Sequence, residues 1–278
     1  MPPCIIFAAS MIYYTKYLSL LAVFFYVACT NSDNIAKKND ETLSKEQQLK
    51  IAMSQYPDSA LLTENLVQYY REAGNYTLAV SLINNAIKKD STNPRLWDIK
   101  AILNIENNDT AASIQSFKKA IAIYPDPQYI ISLATLYAQT KNVNALKMAD
   151  SLLMSSKAHA EKEAYFIKGL YYSYTNNKQK AIGFFDKCIS INYTYMDAYI
   201  EKSLALYELT KYTEALAVLD KAVTLQNNFE EGYYYRGQCL EKLNRPMEAV
   251  EAYQMALAYD PQYSEAKEAL AKLGVKAP

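Results

Sequence analysis

The sequence predicts an all-α protein built from repeated pairs of helices. The 278 residues include only six glycines and nine prolines, which are too few for the turns of a typical sheet protein, and residues that favour helix, such as Ala, Leu, Lys and Glu, dominate. From about residue 44 onward the chain also repeats itself with a period of 34 residues. A period of this length is typical of solenoids made from short helices.

Residues 1–28 are interpreted as a signal peptide. The stretch KYLSLLAVFFYVACTNSD places Lys16 before an apolar run of about twelve residues, whereas a membrane-spanning helix needs about 20. The run ends in VAC, at Cys29, and this ending resembles the lipobox of bacterial lipoproteins. The resemblance implies that Cys29 is lipidated and becomes the new N-terminus. Tyr26 departs from the Leu or Val that is usual at the first lipobox position.

Two alternatives remain open at this end of the chain. Both apolar runs together could form an uncleaved anchor helix, and Met11 could be the true start, which would leave Lys16 in a conventional basic region. Residues 29–43 are polar and lack hydrophobic periodicity. They are predicted to form a flexible tether.

Six repeats, which start near residues 60, 94, 128, 162, 196 and 230, are predicted within residues 44–274. In each repeat, the first helix (A) and the second helix (B) can approach closely where a small residue on one meets a large residue on the other. The eighth column is nearly always small: Val67, Ala101, Thr135, Gly169, Ser203 and Gly237. The twenty-fourth column holds large residues: Ile83, Phe117, Phe185, Leu219 and Tyr253.

Additional helices are predicted on both sides of these repeats. SKEQQLKIAMSQYPD matches a lone helix B before the first repeat, and residues 264–274 form a capping helix with a polar outer face. Gly74 lies where the turn between helices A and B needs a left-handed residue. The third repeat departs from the pattern, because its Ala145 comes two residues early and the connection through SSKAHA is two residues longer. A tighter turn and less regular packing are expected there.

The last repeat resembles the tetratricopeptide repeat. YYYRGQCLEKLNRPMEAVEAYQMALAYDP supplies the family's residues at their positions, namely Tyr233, Gly237, Leu240, Ala249, Tyr253, Ala256 and Pro261. The resemblance implies a right-handed superhelix of six repeats, with a preceding half-repeat and a C-terminal cap. It also implies a concave groove, lined by the A helices, that binds other proteins.

The sequence does not indicate a catalytic or cofactor site. Its one histidine, His159, cannot form a His-based triad or a His-rich metal site, and no glycine-rich phosphate loop is present. Carboxylates are interpreted either as solvated helix faces or as helix-start charges such as Asp197 and Glu231. The chain is therefore predicted not to be an enzyme and to carry neither a metal nor a cofactor.

Cysteine content and charge indicate no further chemistry. Cys188 and Cys239 lie more than one repeat apart and are predicted to be buried free thiols. Lys plus Arg and Asp plus Glu number 29 each, so the surface gives little attraction to nucleic acid.

The predicted binding residues lie at positions 2, 5, 9, 12 and 13 of the A helices, which in the family face the groove. The first two repeats supply Leu61, Glu64, Gln68, Arg71, Arg95 and Asp98. The candidate contact residues are Ile102, Ile105, Phe166, Leu170, Tyr174, Ile200, Leu204, Tyr207, Tyr234 and Gln238. The groove is thus expected to be polar at its ends, where Glu241 closes the last repeat, and apolar in the middle.

This pattern favours an apolar or amphipathic peptide or helix as the ligand. Cochaperones of the family clamp a C-terminal carboxylate with Lys at position 5 and Asn at position 9, and this chain lacks that pair, so chaperone tails are poor candidates. Alternatively, the apolar stripe could be buried against the B helices or a second copy of the chain, and the tyrosines could simply reflect composition.

The expected function is a non-catalytic scaffold in the bacterial cell envelope, held to the membrane by a lipid and binding a protein partner there. A self-associating structural component is the main alternative, and an enzyme or enzyme regulator ranks behind both. Neither nucleic acid nor a small-molecule substrate is indicated.

In the heptapeptide EGYYYRG, the three adjacent tyrosines are expected to point in three directions, because successive helical residues lie about 100° apart. Tyr233 is predicted to pack against its own helix B and Tyr234 to face the groove. Tyr235 is expected to point toward solvent or the groove edge.

Overall fold

The computed structural model describes residues 43–155 and 157–277, without the side chains of residues 155–159. The signal peptide, most of the tether, Cys29 and the side chain of His159 lie outside the described residues. Within this part of the chain every regular element is a helix.

The fourteen helices of the described residues are numbered in chain order. They are α1 Lys45–Gln55, α2 Ala60–Glu72, α3 Tyr76–Lys89, α4 Pro94–Glu106, α5 Thr110–Ile123, α6 Pro127–Gln139, α7 Asn144–Ser155, α8 Lys157–Tyr174, α9 Lys178–Ile191, α10 Met196–Glu208, α11 Tyr212–Leu225, α12 Glu230–Lys242, α13 Pro246–Tyr259 and α14 Ser264–Lys272. Helix α8 has a break at Ala160, where φ is −134° and ψ is 16°.

Each helix packs against the next, so the predicted all-α solenoid of helix pairs is confirmed. The even-numbered helices α2 to α12 are the A helices, the odd-numbered helices α3 to α13 are the B helices, and α1 and α14 flank them. Helices α6, α8, α10 and α12 also contact one another from repeat to repeat. Direct contact between successive A helices places these helices on the inner side of the stack.

The small residues of the eighth column lie against the large residues of the twenty-fourth. A Cβ atom at Gly237 would lie 2.5 Å from the ring of Tyr253, and one at Gly169 would lie 2.4 Å from the ring of Phe185. All four residues are buried. The rings therefore occupy the space that a side chain at either glycine would need, as the columns predict.

A left-handed residue lies in every turn between helices A and B. Gly74 has φ +70° as predicted, and the equivalent residues are Asn108, Lys141, Asn176, Thr210 and Asn244, with φ between 56° and 64°. Asn tolerates this conformation well, whereas a β-branched residue such as Thr210 is strained in it.

In the third repeat, Ala145 comes two residues early for two structural reasons, each of which accounts for one residue. Helix α6 begins at Pro127, one residue before the expected start, and the left-handed residue is correspondingly Lys141. The amide of Ala145 then donates to the carbonyl of Asn142, three residues back, whereas the equivalent amides of Ala79 and the other repeats donate four residues back. This tighter first turn of helix B accounts for the other residue of the shift.

Among residues 43–155 and 157–277, no helix combines the length and apolar character that crossing a bilayer requires.

Cys188 and Cys239 are both buried and free of disulfide bonds, and burial raises the pKa of each thiol to about 12. Both thiols are therefore protonated and unreactive at neutral pH.

Candidate functional site

The ten candidate contact residues all lie on A helices, and eight of them are half-buried. Leu170 and Ile200 are the exceptions, with exposures of 2% and 3%. Both belong to the hydrophobic core, because the contacts of α8 with α6 and α10 cover part of the inner face between neighbouring helices. These two residues are therefore corrected from contact residues to core residues.

Phe166 lies at the middle of the inner surface and is held by other rings. Its ring centroid is 5.8 Å from that of Phe185 and 5.2 Å from that of Tyr195, with the second pair edge to face. Such pairs stabilise by about 1 kcal/mol beyond their burial. Phe166 consequently has a structural role as well as a partly open face.

The last two repeats and α14 enclose a cleft of about 340 Å³. Tyr207, Tyr234 and Gln238 line it, so the structure brings together three of the predicted contacts from two repeats. The amide of Gln238 donates to the hydroxyl of Tyr234 over 2.7 Å. The remaining lining residues are Glu241, Lys242, Tyr253, Glu265, Glu268, Ala269 and Lys272.

The three adjacent tyrosines occupy different environments. Tyr233 stacks on Tyr259 at the end of its own helix B, with ring centroids 5.7 Å apart, as predicted. Tyr234 lies in the cleft, and its ring is 5.2 Å from those of both Tyr235 and Tyr263. Tyr235 is half-buried and packs against the core rather than pointing to solvent.

Charges at the N-terminal end of the inner surface neutralise one another between repeats. Nε and one terminal nitrogen of the Arg95 guanidinium donate to the two carboxylate oxygens of Glu64, over 2.8 and 2.7 Å. Arg71 likewise bonds Glu106 through two of its nitrogens, with Nε 2.7 Å from Oε2. Asp98 is more buried, and desolvation raises its pKa to about 6 against the opposing effect of Arg95.

The C-terminal end instead carries carboxylates without such partners. Asp197 and Glu231 are half-buried, and Glu201 between them has only 9% exposure. Among the described residues, none of the three forms a hydrogen bond or an ion pair through its side chain. Burial raises the pKa of Glu201 to about 7; neighbouring carboxylates reinforce this effect and Lys178 opposes it. Burial, reinforced by the charge of Asp197, also raises the pKa of Glu231 to about 7.

Asp197 and Glu231 lie in the first turns of α10 and α12, as predicted for helix-start charges, but both are half-buried rather than fully solvated. A pattern in the sequence does predict an acidic surface here. The second residue of α12 and the residues at the same repeat position in α8, α10 and α14 are all acidic: Glu163, Asp197, Glu231 and Glu265. The candidate contact residues of the later repeats are instead apolar, aromatic or amide side chains, and none belongs to this column. Glu201 lies outside the five positions considered, since it is the sixth residue of its repeat.

The sequence comparisons decide the family. Tetratricopeptide-repeat models match residues 64–126, 162–195, 197–229 and 230–263, which together make up more than half of the chain. This chain belongs to the tetratricopeptide-repeat family. The matches leave out residues 127–161, which make up the third repeat, where the turn is irregular.

Several solved structures share the fold at low sequence identity. One is a tetratricopeptide repeat protein from Parabacteroides merdae, with a TM-score of 0.67 and 20% identity over 82% of this chain and 91% of that chain. Another is PilW, a widely conserved type IV pilus biogenesis factor, with a TM-score of 0.59 and 16% identity over 75% of this chain and 97% of that one. No curated protein matches the sequence.

Family and fold establish a general role. Tetratricopeptide-repeat proteins are generally scaffolds that bind other proteins, and the fold is typically non-enzymatic.

Proposed function

We propose that this protein is a non-catalytic scaffold, anchored to the bacterial cell envelope by a lipid on Cys29, that holds a peptide or helix of a partner protein against its A helices. The cleft between the last two repeats and α14 carries the proposal. There Tyr207, Tyr234 and Gln238 combine aromatic surface with a hydrogen-bonding amide. Such a combination suits an amphipathic partner.

A photo-crosslinking amino acid tests the location of the binding surface. Gln238 on α12 and Gln254 on α13 form a matched pair, because both are glutamines on adjacent helices but Gln254 is exposed on a B helix. The photo-reactive residue at 238 should crosslink the full chain to a discrete envelope protein, whereas at 254 it should not. Identical products from the two positions would contradict the proposed surface.

The anchor is tested separately. The wild-type chain should incorporate labelled palmitate and fractionate with membranes, and Cys29→Ser should lose both properties because the acylated thiol is absent. A Cys29→Ser chain that remains in the membrane fraction would exclude the lipid anchor and favour an uncleaved helix.

A further inference from the structure

The inner surface of the last repeats combines buried carboxylates, regular spacing and aromatic rings. Glu163, Asp197 and Glu231 occupy the same position in consecutive A helices, and Glu265 is the equivalent residue of α14. Because α8, α10 and α12 contact one another, residues in this column are separated by about 8–10 Å, the usual distance between packed helices. The column therefore forms a ladder of negative charge across the repeats.

Glu201 lies beside this ladder, and its side chain forms no hydrogen bond or ion pair with residues 43–155 or 157–277. It is one helical turn beyond Asp197 on α10, and the residue as a whole has 9% exposure. The charged groups that face it are Lys178 from α9, Glu231 from α12, and Asp197 and Glu208 from α10 itself. The one cation among them is already bound, since Lys178 Nζ lies 2.8 Å from Glu208 Oε1 and donates to Ser173 over 3.1 Å.

A second carboxylate atom nearby is also unsatisfied. Oε2 of Glu163 is fully buried and has no hydrogen-bond partner in the part of the chain that the structure describes. The other oxygen of Glu163 is paired with Lys162, whose ammonium lies 5.8 Å from the ring centroid of Tyr195. A buried carboxylate without a partner is strongly unfavourable, so the arrangement favours a ligand that supplies positive charge.

The rings around the ladder suit the same ligand. Tyr235 and Tyr263 each lie close enough to Glu231 and Glu265 for these carboxylates to add to the effect of burial and raise the pKa of the two hydroxyls. Ammonium and guanidinium groups bind well where carboxylates and aromatic faces occur together. At the N-terminal end, by contrast, arginines of the chain itself already neutralise Glu64 and Glu106.

We propose that the inner surface of α10, α12 and α14 binds an extended, basic segment of a partner protein, whose lysine or arginine side chains pair with Glu201, Glu231 and Glu265. Basic residues at every third position fit the ladder, because three residues of extended chain span about 9–10 Å. The inference rests on the proposed scaffold function and specifies the chemistry of its partner.

Three synthetic peptides of equal length test the charge and the spacing. Their repeating units are Lys-Leu-Ser, the same residues with all lysines grouped at one end, and Glu-Leu-Ser. The full chain in detergent should bind the first peptide most tightly by fluorescence anisotropy, and affinity should fall at least tenfold between 50 and 300 mM salt because exposed charges are screened. Binding should also release protons, measured by calorimetry in buffers of different ionisation enthalpy, since a bound cation favours ionised Glu201 and Glu231.

Charge-neutral variants locate the site. Glu201→Gln combined with Glu231→Gln should weaken binding of the Lys-Leu-Ser peptide at least tenfold. Glu251→Gln removes a charge from an exposed residue of the B helix α13 and should leave binding unchanged. Circular dichroism melting of each variant reports whether it is folded, and the salt and peptide comparisons on the wild-type chain test the proposal independently of the variants.

Several outcomes would overturn the inference. Equal binding of the acidic peptide would exclude a basic partner while leaving the scaffold function intact. Spermidine that binds as tightly as the peptide would assign the surface to a small polyamine. If none of the three peptides binds and positions 238 and 254 crosslink alike, the inference and the proposed function both fail.

Discussion

At the scale of single residues, the fold depends on positions where the absence of a side chain is required. Gly237 and Tyr253 illustrate this, because the ring of Tyr253 fills the volume that a side chain at Gly237 would take. The sequence alone indicated that position eight is small and position twenty-four large. The structure adds that the pair is in direct contact, so neither residue can change independently.

Gly237→Ala is expected to destabilise the protein by about 2 kcal/mol, since an added methyl group would force the packed ring of Tyr253 to move. Gly183→Ala is the matched control, because Gly183 also lies within a helix but a Cβ there would meet no atom within 4 Å. That control should stabilise by about 0.5–1 kcal/mol through helix propensity. Thermal denaturation followed by circular dichroism measures both, and effects of equal sign would contradict the packing argument.

At the scale of helices, α10 combines a helical sequence with a buried charge that does not help it fold. Its helix was predictable from the repeat, but the burial of Glu201 was not. That burial arises because α9, α11 and α12 all pack against α10. A carboxylate at the sixth position of an isolated helix would be solvated, and only the surrounding helices remove its water.

The stability of the domain should respond to pH through this residue. The pKa of Glu201 rises from its ordinary 4.5 to about 7 on folding, so between these values the folded chain binds more protons than the unfolded chain. The contribution of Glu201 therefore favours folding at low pH and is lost as pH rises toward 7. At pH 8 its ionisation opposes folding by about 3 kcal/mol.

Glu201→Gln should accordingly raise the free energy of unfolding at pH 8 and change it little at pH 4.5. Urea denaturation at both pH values measures the difference, and Glu251→Gln serves as a control that should behave as the wild type at each. A Glu201→Gln chain that is less stable than the wild type at pH 8 would show that the carboxylate has a favourable partner when ionised.

At the scale of the whole molecule, each repeat is stabilised by its neighbours, so the ends need protection. Helix α14 supplies it at one end, where Ala266, Ala269 and Leu270 are buried against the last repeat. The remaining face of α14 is polar and exposed. Helix α1 covers the other end more loosely, because none of its residues is fully buried.

A chain that ends at Tyr263 should be less stable than the wild type by about 3 kcal/mol, because it loses the burial of Leu270 and of the alanines and exposes Leu257. It should also associate, as the uncovered face is apolar. A chain that ends at Val275 retains α14 and should match the wild type. Urea denaturation and sedimentation measure the two effects, and equal stability of the two shortened chains would contradict a capping role.

The sequence by itself determined the helices, their pairing and the schedule of small and large residues, because these depend on a local period and on side-chain size. It also predicted Tyr207, Tyr234 and Gln238, which the cleft brings together. Only the tertiary structure decided which inner residues are accessible, since contacts between successive A helices bury Leu170 and Ile200. For the same reason, only the tertiary structure revealed that the carboxylate of Glu201 is buried. Its desolvation depends on neighbours from the helices of three repeats, and a local sequence pattern does not predict those neighbours.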